Sequence, residues 1–487
     1  MQLDGDTCYR AMRARDPRFD GTFFVGVSTT GVYCRPICPA RLPGRDRCSF
    51  YARAVEAERA GYRACFRCRP ELAPGGASVD AVGRLVRAAL ARIEAGCLQE
   101  GSVESLAEEL GVTPRHLRRA MEAELGVSPI ELAQSRRLAL AKQLLHDTQL
   151  PLTEVAFASG FSSVRRFNAL FRERFGRPPG SLRRAAANPL GAADTISLRL
   201  DYRPPLDWPS LLAFFEMRAI PSIEIIEGAT YRRALRAGGR AGVVSVSPAA
   251  DKSALVAKVS LELAPALPAV VAKLRALFDL DARPDVVAAH LGSDPILARS
   301  IKKRPGLRVA GCADGFELVV RAILGQRISV AAARTLAGRL VATYGDPLPQ
   351  SDADGPAFRL FPTASRLSSL SEADLGRIGI GGPASRPMLA VARAVDGGDL
   401  GLDDVSNHDK TVNELLEISG IGRWTAAYVA LRALRDPDAF PAGDLILRRV
   451  MGVSTERAAE ERSRPWSPWR GYAAFHLWFS SKEGTSQ

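Results

Sequence analysis

Two cysteine pairs constrain this chain more than any other feature of its 487 residues: Cys34-x3-Cys38 and Cys65-x2-Cys68, with 26 residues between them. Close pairs that bring four thiolates together have the spacing of a tetrahedral zinc centre. The N-terminal segment is therefore expected to fold around one metal ion. Arg35, Arg41, Arg45, Arg47, Arg63, Arg67 and Arg69 crowd the same stretch. Their charge offsets that of a zinc ion held by four thiolates, and it can also face phosphates. On spacing alone, a zinc staple with no chemistry stays open. Cys48 reads as a partly buried thiol or else a spare ligand, and Cys8 and Cys97 read as partly buried thiols.

Charge narrows the partners. The net charge of +13 is carried mostly by Arg, the side chain best suited to bidentate contacts with phosphate and guanine, so nucleic acid is the first partner to consider. No run approaches the ~18 uninterrupted apolar residues of a membrane span. The start, Met1-Gln2-Leu3-Asp4-Gly5-Asp6, lacks the basic and apolar segments of a secretory signal. A cytoplasmic, monomeric protein with reduced thiols is expected.

Composition shifts suggest a multidomain α+β chain. A small zinc-bound α/β module over residues 1–75 closes at Ala73-Pro74-Gly75-Gly76, and an all-α unit over 78–185 closes in the linker-like stretch Ala185 to Gly191. A small antiparallel β subdomain over 194–285 follows, then a helical domain over 286–487. Alternation in Ile196–Leu200, Gly242–Val246 and Leu255–Leu261 predicts strands, and from about Pro284 the pattern turns helical.

In the second unit, Ser102 to Arg119 reads as a helix, a turn at Gly111, and a second helix with Thr113 as N-cap and Pro114 at its first position. Arg115, His116, Arg118 and Arg119 lie along that second helix, where a recognition helix presents groups to a major groove. For His116 an exposed bystander role stays open. A second copy runs from Leu152 through Gly160 to Phe171 and carries Arg165 and Arg166. Near the C-terminus, Leu416 to Tyr428 reads as helix, Gly420-Ile421-Gly422 turn, helix. Such a turn lets backbone N–H groups approach a DNA phosphate without side-chain obstruction. Asp444 follows about twenty residues later, in Phe440-Pro441-Ala442-Gly443-Asp444.

These segments carry three resemblances. Residues 31–70, from Gly31-Val32-Tyr33-Cys34 to Cys65-Phe66-Arg67-Cys68-Arg69-Pro70, resemble the N-terminal domain of the Ada family. That implies a single-turnover methyl acceptor at Cys34, taking methyl from a methylated DNA phosphate, with Cys38, Cys65 and Cys68 completing the zinc shell. The paired helix-turn-helix units resemble the DNA-binding domain of the AraC family over about a hundred residues. Much of 195–480 resembles the AlkA-type 3-methyladenine DNA glycosylases, with Phe316 to Gln326 and Trp466 to Trp478 matching two of their helices.

The last resemblance implies a helix-hairpin-helix glycosylase with Asp444 as catalytic carboxylate. Trp424, Tyr428, Trp478 and Phe214 would line a base pocket, with Arg218 near its mouth. Gly420, Gly422, Gln326 and Arg327 would face DNA. An alkylated purine flipped into the pocket carries positive charge, which each well-placed aromatic ring attracts by about 0.5–2 kcal/mol. Trp424 stands where relatives that also cut the backbone carry Lys, so a monofunctional enzyme is expected. Two departures stand out: Arg327 replaces an apolar wedge, and Gly443-Asp444 leaves one carboxylate where the family has an acidic pair. No Pro-Cys-His-Arg acceptor of the alkylguanine transferases occurs.

The combined reading is a DNA alkylation repair and adaptive-response protein. It would excise alkylated purines, transfer methyl groups from DNA phosphotriesters, and activate promoters with RNA polymerase as a further partner. The alternative is a methylation-sensing AraC-type regulator whose glycosylase-like domain only binds DNA. A repair enzyme whose middle domain merely adds DNA affinity is a third reading.

Overall fold

The computed structural model describes residues 4–75, 83–99, 101–182, 195–250, 252–349, 356–402 and 408–481. The linker-like stretch Ala185 to Gly191 and the boundaries placed at 78 and 194 lie outside the described residues.

Helix Gly5–Ala14 packs Cys8, Ala11 and Met12 against Phe23, Val25 and Cys48. Strands β1 (Phe24–Val27), β2 (Val32–Cys34), β3 (Cys48–Tyr51) and β4 (Arg63–Ala64) form a sheet in the order β3-β1-β2-β4. β2 and β4 run parallel, with Tyr33 opposite Ala64. Cys34 ends β2 and Cys65 directly follows β4, so this pairing brings both cysteine pairs to one end of the sheet.

The helical unit follows the local sequence closely. Helices Val103–Glu109 and Pro114–Leu125 make the first helix-turn-helix, and Leu152–Ala158 and Val164–Phe175 the second. The Thr113 hydroxyl accepts the His116 N–H, closing the first turn of its helix. Buried residues recur every four positions, as Leu117, Met121 and Leu125 and again as Phe167, Phe171 and Phe175. That is the spacing of one helix face. The long helix Pro129–Asp147 joins the two units.

The third unit is a five-stranded antiparallel sheet in the order β5-β9-β8-β7-β6, from β5 (Thr195–Asp201), β6 (Glu224–Glu227), β7 (Thr230–Ala237), β8 (Arg240–Pro248) and β9 (Ala254–Ser260). Three of these strands were predicted. β6 and β7 were not, because buried charges interrupt their alternation. Arg233 reaches Glu317 at 2.8 Å, while Arg321 bridges Glu224 at 2.9 Å and Glu317 at 2.7 Å. Pairing makes those charges tolerable inside a core, and local pattern does not reveal it. Helices also begin earlier than Pro284, at Trp208–Glu216 and Leu267–Leu277.

Buried cations lock the units together. Arg35, only 3% exposed, donates to Asp20 within the zinc module and to Asp201 of β5 at 2.9 Å. Lys142 of the joining helix, fully buried, donates to the Cys65 carbonyl at 3.2 Å and to Glu71 at 2.7 Å. Arg203 donates to the carbonyls of Asp20, Gly75 and Asp281. Gly75, read from sequence as linker, is therefore pinned, and its N–H also donates to Asp281.

His476 lies on the C-terminal helix Arg470–Ser481, with Nδ1 3.0 Å from the Ser300 hydroxyl. Burial, aided by Arg304, pushes its pKa down from 6.5 to about 4. The stability this neutral imidazole contributes is complete above pH 6.5 and is lost as pH falls towards 4, up to about 3 kcal/mol. Urea unfolding across that range should show the loss, and His476→Gln should flatten it.

Candidate functional site

The Sγ atoms of Cys34, Cys38, Cys65 and Cys68 all lie within 4.8 Å of one another. A tetrahedral zinc with Zn–S distances of about 2.3 Å separates its sulfurs by about 3.8 Å, so the four fit one ion. The N–H groups of Arg35 and Arg67 point to Cys68 Sγ and Cys65 Sγ, both at 3.4 Å. Such donors favour the thiolate form. The set is a one-zinc site. Cys48 stands apart from it, its thiol 3.3 Å from the Gly44 carbonyl. Cys8 is buried and Cys97 half-buried, and burial raises the pKa of both to about 11.

The helix-turn-helix residues behave as a presented face. Arg115, His116, Arg118, Arg119, Arg165 and Arg166 are all exposed, while Leu117 and Phe167 on the same helices are buried. Arg118 makes a long contact with Glu104 at 3.4 Å.

In the C-terminal region, helices His408–Glu417 and Arg423–Arg432 flank the hairpin turn. Gly420 has φ +94°, and a side chain there would press on Pro387 at 3.1 Å, so glycine is required. The Gln326 amide donates to the Gly420 carbonyl at 2.9 Å and the Thr425 hydroxyl at 3.0 Å, holding the turn. Arg327 next to it is exposed.

Trp424 and Tyr428, one helical turn apart, stack at 5.3 Å and 14°. Trp478 meets Tyr428 edge-on at 6.2 Å, Phe475 joins Trp478 at 5.2 Å, and Phe214 reaches Phe475 at 5.0 Å. The predicted aromatic residues thus form one wall, with Phe475 as an added member. Asp444 sits at its edge. One carboxylate oxygen accepts the N–H groups of Ile446 and Leu447, as N-cap of helix Leu445–Met451. The other accepts the Trp424 indole N–H at 3.0 Å.

Two guanidiniums complete the wall. Arg218 lies 3.8 Å above the Phe214 ring centre. Arg432, absent from the sequence reading, donates to the Tyr428 hydroxyl at 2.5 Å and to the Ala310 and Gly311 carbonyls. Burial opposes ionisation of the Tyr428 phenol, but Arg432 and Arg218 outweigh it and hold its pKa below the usual value. The spacing Trp424, Tyr428, Arg432 along one helix face was the only signal available for Arg432.

Known proteins match the same three regions. Family models match residues 7–71 as the metal-binding domain of Ada, 106–185 as a helix-turn-helix domain and 197–314 as the AlkA N-terminal domain. The chain is 39% identical to a probable bifunctional transcriptional activator/DNA repair enzyme AlkA of Mycobacterium tuberculosis, across 100% of this chain and 98% of that protein. It is 34% identical to DNA-3-methyladenine glycosylase 2 of Escherichia coli, across 58% of this chain and 96% of that one. The 3-methyladenine DNA-glycosylase structure from Archaeoglobus fulgidus shares the fold over 59% of this chain and 99% of its own, at 24% identity and a TM-score of 0.52.

Proposed function

The chain belongs to the family of the bifunctional transcriptional activator/DNA repair enzyme AlkA, and from that premise we propose that it senses alkylation of the DNA backbone and excises alkylated bases. The observation that carries the excision reading is the Asp444 carboxylate held against the Trp424–Tyr428 stack. An alkylated purine such as 3-methyladenine, flipped from the duplex, enters beside Trp424, with Tyr428, Trp478 and Phe214 as the pocket wall and Arg218 at its mouth. Asp444 then stabilises the positive charge developing on the sugar or orients the attacking water. The Gly420 and Gly422 backbone holds the DNA phosphate, with Gln326 keeping the turn in shape and Arg327 facing the duplex.

Trp424 offers no amine for a Schiff base, so the enzyme is monofunctional. Incubation with methyl-treated duplex DNA should release methylated bases, and borohydride should trap no covalent DNA adduct. No release from DNA that the protein binds would favour the regulator reading, and an efficient adduct would contradict the monofunctional assignment.

In the N-terminal module, Cys34, Cys38, Cys65 and Cys68 would hold one zinc ion, which would keep their sulfurs as thiolates at neutral pH. Cys34 Sγ attacks the methyl carbon of a methylphosphotriester, the S–C bond forms as the C–O bond breaks, and the phosphate departs as a diester anion. One negative charge is lost from the cluster and repulsion from DNA phosphates falls, which couples damage to DNA binding. Arg115, His116, Arg118, Arg119, Arg165 and Arg166 then read promoter DNA in the major groove, with RNA polymerase as partner. We assign the units to 1–75, 78–185, 194–285 and 286–487, in a cytoplasmic monomer. No described helix is long and apolar enough to cross a membrane.

A further inference from the structure

Where the zinc module, the helix-turn-helix unit and the β subdomain meet, the structure leaves a cavity of about 190 Å³. Neither Asp444 nor any residue of the aromatic wall lines it. A water needs ~10–15 Å³ of such space, so the cavity has room for about a dozen. Its apolar walls come from every side: Leu72 of the zinc module, Ile93 of helix Arg84–Glu94, Leu140 of the joining helix, Leu200 of β5 and Val271 of helix Leu267–Leu277. Its charges do not balance. Four carboxylates reach the wall, and each is already paired: Glu71 with Lys142 and Arg69, Glu94 with Arg136, Asp201 with Arg35 and Arg199, and Asp281 with Arg275. Five guanidiniums reach it, those of Arg136, Arg199 and Arg275 and two more, Arg137 and Arg435. Among the described residues no ion pair contains Arg137 or Arg435. Arg435 acts on Asp279 and Asp281 only at longer range. Arg137 gives one hydrogen bond, from Nη2 to the Leu98 carbonyl, of the five N–H groups a guanidinium offers. Burial and the neighbouring Arg166 push its pKa down. The Gln99 side-chain nitrogen, in the same wall, is buried with no acceptor, and folded proteins leave few such atoms without a partner.

We propose that this cavity binds a small organic monocarboxylate of about ten non-hydrogen atoms, its charge on Arg137 and its body against the apolar walls. Each part of that description answers an observation. The unmatched wall charge is positive, which disfavours a metal ion or an amine and favours an anion. A half-buried guanidinium with free N–H groups suits a carboxylate, which can accept two of them at once. The walls of Leu, Ile and Val suit an apolar body, which a bare phosphate of the DNA backbone lacks. The position gives the ligand a role. Ser159, at the turn of the second helix-turn-helix, lines the cavity, and so does Arg435, three residues beyond helix Arg423–Arg432 that carries Trp424 and Tyr428. Because the walls belong to three units, the cavity is complete only while they are docked. A ligand there favours the docked arrangement by mass action, and so holds the DNA-reading unit and the base pocket in one relative placement.

The test titrates the full, zinc-loaded chain with phenylacetate and with phenylacetamide, which has the same shape and no charge. Calorimetry should show one phenylacetate site per chain, with phenylacetamide about tenfold weaker or more. Arg137→Met should weaken phenylacetate by about tenfold and leave phenylacetamide nearly unchanged, while Arg137→Lys, which keeps the charge, should hold most of the affinity. Leu140→Trp, which fills the space, should abolish binding of both, and thermal unfolding checks that each variant is folded. Saturating phenylacetate should slow hydrogen exchange in Pro129–Asp147 and Leu267–Leu277 together, since the cavity lies between them. Absence of saturable phenylacetate binding in the millimolar range would overturn the proposal, and a drop in duplex DNA affinity in Arg137→Met would then make that side chain a phosphate contact. Equal binding of the two probes, or binding that survives Leu140→Trp, would overturn it as well, because neither the charge nor the cavity would be involved.

Discussion

Asp444→Asn is expected to lower release of alkylated bases by roughly 10²–10³-fold or more while the protein stays folded. Asp444 has two jobs that can be separated. As a cap, one of its oxygens accepts the N–H groups of Ile446 and Leu447, and Asn caps helices as well as Asp does. As a charge, its other oxygen holds the Trp424 indole at 3.0 Å, and in the proposed reaction it would meet the positive charge developing on the sugar. An Asn amide has one oxygen to share between these partners, so the indole loses its acceptor at a cost of about 1 kcal/mol. Single-turnover release measured beside urea unfolding should show near-complete loss of the first and a small shift in the second. Retained release would remove Asp444 from the reaction. Loss of both together would make it a structural residue.

Stripping zinc is expected to have effects far from the metal. Structural zinc contributes about 10–16 kcal/mol in small zinc-finger peptides, and the segment from Cys34 to Cys68 has little apolar core of its own beyond the four cysteines. The peptide carbonyls of two ligands are held by side chains that also bind other units. Arg35 Nη1 donates to the Cys68 carbonyl and to Asp201 of β5, and Lys142 Nζ donates to the Cys65 carbonyl from the helix joining the two helix-turn-helix units. When the cysteine loops lose their metal, both cations lose a carbonyl acceptor, and a buried donor left unsatisfied is destabilising. Hydrogen exchange after chelation should therefore speed up not only in residues 24–72 but also in β5 and in Pro129–Asp147. The hairpin helices His408–Glu417 and Arg423–Arg432 should be spared, since residues such as Leu415, Ala426 and Val429 belong to a separate core. Faster exchange confined to the zinc module would show that its docking does not depend on the metal.

Much of this was legible because it is local. Paired cysteines, the Thr113-Pro114 helix start, the Gly420-Ile421-Gly422 turn and the phenylalanines at 167, 171 and 175 each work within a few residues, so spacing reveals them. Asp444 and Trp424 were legible because the hairpin gives their positions a fixed frame. Strands β6 and β7 were not, because the charges that break their alternation are neutralised by Glu317 and Arg321, distant in sequence. Nothing local shows that the Gln326 amide lies 2.9 Å from the Gly420 carbonyl. Nothing local marks Arg432 as buried against Tyr428.

The residue inventory is local: four thiols spaced for one zinc, two basic helix-turn-helix units, a glycine hairpin and Asp444 in the loop that follows it. Those features depend on residue identity and short-range geometry, which the chain carries wherever it folds. How they are wired emerges only in three dimensions: Arg35 and Lys142 tie the cysteine loops to the other units, and Arg218 and Arg432 lie over the Phe214 ring. That wiring depends on which buried charges find partners across gaps as long as the 166 positions between Arg35 and Asp201. Low dielectric makes such pairings decisive in energy, and no local pattern encodes them.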